Sequence, residues 1–156
     1  MIIPVSTSIV VFIDFIVAFV MLAVLMIYYH VTPSMNIIAF PACILAVVLL
    51  SVSVGILFSA LTIRFRDVQY VIPFMVQIGL YITPVAYPSS LIPEAYKTFY
   101  YLNPMAAIID SFRWSLLDTP LPDTRYLLFS AAITLLLLVS GVYYFRRVER
   151  VMADII

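Results

Sequence analysis

The sequence predicts an all-α fold: a polytopic membrane protein with about four transmembrane helices and two short amphipathic helices, in a single transmembrane domain over 1–156. Three observations predict it. Of 156 residues, 65% are hydrophobic and only 10% are charged, too little charge to clothe the surface of a soluble domain. Several apolar stretches are of the length, about 20 residues, that crosses about 30 Å of hydrocarbon. The basic residues avoid these stretches and collect beside their ends, as they do around spans.

The first stretch, 9–28, is interrupted only by Asp14 and closes on Tyr28, Tyr29 and His30, a polar-aromatic edge suited to headgroups. No basic segment precedes it and no small-residue cleavage site follows, so it reads as structure rather than a secretory leader. Thr32-Pro33-Ser34 then breaks the chain. The second stretch, 37–63, is long enough to tilt and ends on Arg64-Phe65-Arg66-Asp67. The third, 70–87, carries Pro73 and Pro84, which predicts a kinked or broken helix. The fourth, 126–145, runs into the cluster Arg146, Arg147 and Arg150.

Between the third and fourth stretches the chain is too polar to span yet rich in aromatics. Here the sequence predicts a hairpin of two short helices over 91–117. Pro93 starts the first, with Ile92, Tyr96, Phe99 and Tyr100 on one face. Asn103 caps the second, with Pro104 as its first residue and Ile108, Ile109, Phe112 and Leu116 as its apolar stripe. Asp110 and Arg113, three apart, are placed to pair. Such a hairpin is re-entrant, or it lies in the interface.

Orientation follows from the bases. Alternating spans put Arg64, Arg66, Arg146, Arg147 and Arg150 on one face, against Lys97, Arg113 and Arg125 on the other. The richer face is expected to be cytoplasmic, with both termini on it.

Chemistry is nearly absent. Eight acids balance eight bases, so no basic surplus points to nucleic acid. Cys43 stands alone in an apolar run and reads as filler. His30 has too few ligand-type neighbours for a metal site. No glycine loop cradles phosphate and no serine has a visible base, so neither an enzyme nor a cofactor is expected. Asp14, an acid inside a span, is a functional hypothesis by default, although it lies close enough to the end of its stretch to reach the interface or a neighbouring helix. Tyr81, Tyr87, Tyr96, Tyr100, Tyr101 and Trp114 gather toward the hairpin side. They suit an aromatic belt at the interface and equally the wall of a sugar path, since flat rings cover the apolar faces of sugars.

The segment Arg64–Asp118 carries a set of short motifs in order: Arg64-Phe65-Arg66-Asp67-Val68, Pro73-Phe74, Thr83-Pro84-Val85-Ala86-Tyr87-Pro88, Ile92-Pro93-Glu94, Leu102-Asn103-Pro104 and Phe112-Arg113-Trp114. With Asp14-Phe15 and the ending Phe145-Arg146-Arg147, they make the chain resemble the permease subunits of type-2 ABC exporters that move O-antigen, capsule or teichoic acid. The resemblance implies export of a lipid-linked glycan or a related polyol-phosphate polymer, by a homodimer of permeases in membrane lipid. A separate ABC ATPase would drive it. It also implies that the chain corresponds to the last four spans of such a permease and lacks a two-span front portion. The turn holding Arg64, Arg66 and Asp67 would then meet the ATPase, with a charge-assisted pair of Arg66 and Asp67 fixing its shape. Tyr81, Tyr87, Tyr96, Tyr100 and Trp114 become candidates for the glycan path. The competing readings are a small four-span proton-coupled multidrug exporter with Asp14 as proton carrier, which the long 89–125 segment disfavours, and a membrane fragment that transports nothing.

Overall fold

A computed structural model describes residues 2–32, 34–85 and 87–153. The described residues are helical and contain no strand: α1 (Ile2–Tyr28), α2 (Phe40–Arg64), α3 (Val68–Ile82), α4 (Glu94–Tyr100), α5 (Pro104–Leu117) and α6 (Thr124–Ala153), with short 3-10 turns at Met35–Ala39 and Ser89–Leu91. This is an all-α membrane protein. Met35–Arg64 and Thr124–Glu149 are each long and apolar enough to cross a bilayer, and Ile16–Tyr28 and Val68–Ile82 are shorter apolar helices.

α1 begins at Ile2, ahead of its apolar stretch, and its side chains are described from Asp14 onward, Phe15 excepted. It ends in a paired-bond cap. The Val31 N–H donates to Met26 O (2.9 Å) and the His30 N–H to Ile27 O (3.2 Å), which satisfies carbonyls the helix would otherwise leave open. His30 takes the left-handed conformation this cap requires, φ 55°. α1 meets α2 where Phe19 packs on Phe40, with ring centroids 5.6 Å apart.

α2 and α6 share the most extensive interface. Cys43, Leu50, Ser53 and Ala60 of α2 are buried, and so are Ser130, Thr134, Gly141 and Val148 of α6. The spacings alternate near three, four and seven, the seam of helices crossing at a shallow angle. Small side chains dominate because lipid offers no hydrophobic drive between spans, so close van der Waals contact does the work. A Cβ on Gly141 would meet Ser53 O at 3.3 Å and Leu57 N at 3.4 Å. Two hydroxyls in the seam are satisfied within their own helices: Ser53 donates to Leu49 O (2.6 Å) and Thr134 to Ser130 O (2.8 Å). Gly141 faces Ser53–Leu57, while Ser130–Thr134 shares a groove with Cys43 and Ala46. The two helices therefore run parallel, and the Arg64–Val68 turn and the Arg146–Arg147 pair lie at the same end, the Arg66 end.

The opposite end, the Asp118 end, is tied by side chains. Asp118 closes α5 in the left-handed conformation, φ 55°. Its carboxylate accepts from Ser34 Oγ (3.0 Å) and Asn36 Nδ2 (3.2 Å), joining the α1–α2 connection to the end of α5.

α5 packs against both α2 and α6. Its cap is the expected one: Asn103 accepts from the Met105 N–H (3.0 Å), with Pro104 as first residue. Phe112 meets Phe40 edge-on at 5.4 Å. Ala106, Ala107 and Ile108 are buried, while Ile109, Phe112 and Leu116 are half-buried. α4 begins after Pro93 as expected but stops at Tyr100, and Tyr96 and Phe99 are exposed. Ser130 Oγ donates to Pro104 O (2.8 Å). The bend between α4 and α5 thus sits about 9 Å along α6 from its first residue, below the Asp118 end.

α3 is broken at Pro84, one of the two prolines expected to kink or break it. The apolar stretch runs to 87, yet the helix ends at Ile82. Pro84 clashes with a helical residue before it, so Thr83 is extended, at ψ 130°. Pro73 is accommodated within α3.

Candidate functional site

The strongest concentration of polar chemistry among the described residues is a cavity of about 310 Å³ between α4, α5 and the start of α6. Its centre is Asp110, 4% exposed. One turn of helix puts Arg113 beside it, Nη1 to Oδ1 3.1 Å. From the residue that closes α4, the Tyr101 hydroxyl donates to the other oxygen at 3.0 Å. Arg113 also donates through Nη2 to Pro84 O (2.7 Å) and Val85 O (3.2 Å), and Asn103 Nδ2 donates to Thr83 Oγ1 (3.3 Å). The broken end of α3 is thereby fastened to the hairpin, and backbone carbonyls that lost their helix find a cation instead.

Aromatic rings make one wall. Tyr101 stacks on Tyr126 of α6, centroids 4.0 Å apart and planes 15° apart. Tyr100 meets Tyr101 edge-on at 4.8 Å. Burial pushes the Tyr100 and Tyr101 phenols above their usual range, and the Asp110 carboxylate pushes the same way. The Tyr100 hydroxyl is buried without a partner. Toward the mouth stand the Lys97–Glu94 pair and Asp123.

The expected path aromatics divide. Tyr100 belongs to this cluster, and Tyr87 lies near enough to it to act on its phenol. Tyr81, 79% exposed, and Tyr96 point away from the fold. Trp114 lies on another face of α5, in an apolar groove with α2 and α6. Sequence reading singled out Tyr101, Asp110 and Arg113 but missed Asp123 and Tyr126. Their one signal is position: both sit where α6 begins, a place that reads first as an interface belt.

The Arg64–Val68 turn lies apart, at the Arg66 end. Its shape comes from the backbone: Phe65 N–H to Leu61 O (2.7 Å), Val68 N–H to Phe65 O (3.1 Å) and Tyr70 N–H to Asp67 O (3.1 Å). The ion pairs among the described residues are Lys97–Glu94 and Arg113–Asp110, so Arg66 and Asp67 are not paired to each other. Arg64 lies over the Phe65 ring, 5.4 Å from its centroid. Arg64, Arg66 and Asp67 are all exposed. Asp14 is exposed on α1, and no group of three metal-ligating side chains occurs among the described residues.

Residues 3–117 match the family model of the ABC-2 type transporter membrane domain. The chain belongs to that family. The O-antigen export system permease protein RfbA of Myxococcus xanthus is 26% identical over 152 residues, which is 95% of this chain and 58% of that protein. A protein of the same name from Klebsiella pneumoniae is 26% identical over 156 residues, 99% of this chain and 60% of that protein. A second from Klebsiella pneumoniae is 30% identical over 86 residues. The chain spans about three fifths of the length of the first two relatives. The family match contains the turn, α3 and the whole hairpin, whereas the cavity's far wall, from Thr119 to Tyr126, lies beyond it.

Proposed function

We propose that this ABC-2 chain forms part of the permease of an exporter that moves a lipid-linked polysaccharide, or a related polyol-phosphate polymer, across the cytoplasmic membrane. A second copy completes the path and a separate ABC ATPase supplies the energy. The observation that carries this reading is the relationship to O-antigen export permeases over nearly the whole chain, with the family match taking in the turn and the hairpin. Both termini and the Arg66 end face the cytoplasm, where bases concentrate. The exposed Arg64, Arg66 and Asp67 side chains meet the ATPase. The turn joins α2 to α3, and α3 is fastened at its far end to the hairpin through Arg113 and Asn103, so a push at the turn reaches the far side through one short rod. The half-exposed aromatics around Tyr100 and Tyr101 border the glycan's exit.

The test joins this chain to the front two spans of an O-antigen permease and expresses it in a strain that lacks its own permease but keeps the ATPase. Surface glycan is read with an antibody. Export is expected, and Arg66→Glu should lower it at least about tenfold while membrane insertion is unchanged. Accumulation of glycan inside the cell with the unsubstituted chimaera, across several glycan types, sinks the reading. Export unaffected by Arg66→Glu removes the coupling role from this turn.

A further inference from the structure

The polar cavity does not end at Leu121. That residue also lines an apolar groove of about 560 Å³ between α2, α5 and α6. Neighbouring residues divide between the two: Tyr126 and Arg113 face the cavity, Leu127 and Trp114 the groove. The groove is floored by small side chains, among them Ala42, Ala46 and Ala131. Along α2 it extends from Ala39 to Leu49, about 15 Å of helix, and one leaflet supplies about 15 Å of hydrocarbon. A polar chamber at the end of two spans thus continues into an apolar trough one leaflet deep.

We infer that cavity and groove together bind one bilayer phospholipid, its ammonium-bearing headgroup in the cavity and an acyl chain in the groove. Charge selects the headgroup. Glu94, Asp110 and Asp123 stand against Lys97 and Arg113, an excess of one negative charge. Asp110 is committed to Arg113 and Tyr101, and Glu94 to Lys97. Asp123 makes no ion pair among the described residues, although its charge reaches Lys97 across the mouth. A primary ammonium suits Asp123, while Lys97 keeps spare N–H groups for the adjoining phosphate. A purely anionic headgroup would meet Glu94 and Asp123 with like charge. Such binding is independent of what crosses the membrane and is read without transport.

Trp114 is the sole tryptophan and lines the groove, so bromine on a bound acyl chain quenches it. The full chain is placed in phosphatidylcholine vesicles, and dibrominated lipid is added with an ethanolamine, choline or glycerol headgroup. Half-quenching is expected at about a threefold lower mole fraction for the ethanolamine lipid, as one partly exposed ion pair supplies. Asp123→Asn should remove that preference and leave maximal quenching unchanged. Ala131→Phe should lower quenching by all three lipids. Equal quenching by the three in the unsubstituted chain means ordinary surrounding lipid and overturns the site. Absence of quenching by any means that protein, a second copy or another segment, covers the groove, and overturns it too. A preference that survives Asp123→Asn refutes the headgroup contact.

Discussion

Asp110 is buried and carries two charge-assisted bonds, and removing it strands a half-buried Arg113. Asp110→Ala should cost about 3 kcal/mol, measured as a loss of helicity on titration of the detergent-solubilised chain with denaturant. The pair Asp110→Asn with Arg113→Leu should cost less than the two single changes added, because each single change strands a charge and the double change leaves none. The Tyr101 phenol titrates from the same cluster. Burial first, and Asp110 second, hold it neutral in the folded state. Its contribution to stability is therefore complete below about pH 10 and lost as pH rises beyond that. Tyr101→Phe should lower stability by about 1 kcal/mol near neutrality and flatten the alkaline limb of the stability–pH curve. A limb as steep as before would show that the decline comes from elsewhere.

At the scale of elements, the three glycines separate packing from propensity. A methyl at Gly141 meets the backbone of α2, whereas Gly55 and Gly79 have open space around an added Cβ. Gly141→Leu should cost about 2 kcal/mol or more by forcing α2 and α6 apart, while Gly55→Ala should be neutral or gain up to about 1 kcal/mol of helix propensity. Thermal unfolding of the two variants beside the unsubstituted chain, in one detergent, decides it. The same contrast shows what sequence could tell. Helix starts were legible because proline and asparagine act locally: Pro93, Asn103 and Pro104 stand where α4 and α5 begin. The break after α3 was legible at Thr83-Pro84, since proline dictates it locally, although the apolar stretch itself runs on to 87. The cavity was only half legible. Asp110 and Arg113 are three apart on one helix, whereas the Tyr101–Tyr126 stack joins residues whose proximity depends on how α6 returns against the hairpin. The turn's shape was misjudged because backbone bonds, not Arg66 and Asp67, hold it.

For the molecule as a whole, parallel α2 and α6 restrict topology. Position 66 and position 147 must lie on one side, and Ser34 and Asp118, which are bonded to each other, on the other. In a chain with Cys43 replaced by Ala, a membrane-impermeant maleimide added outside intact cells should label cysteine at 118 or 97 and leave 66 and 147 unlabelled. Labelling at 66 without 97 would invert the orientation. Labelling that separates 66 from 147 would contradict the parallel arrangement itself.

The fifteen residues of α3 rise about 22 Å, some 8 Å less than a typical hydrocarbon core. Whatever lies against α3, lipid or protein, meets a greasy wall shorter than those of α2 and α6. Hydrophobic mismatch of this size is relieved by local thinning or by irregular backbone with its own bonding partners, and Arg113 on Pro84 and Val85 is such a partner. Where thinning takes up the remaining difference, the low-dielectric layer beside α3 is about a quarter thinner than elsewhere, and a polar group crossing there spends less of its path out of reach of water.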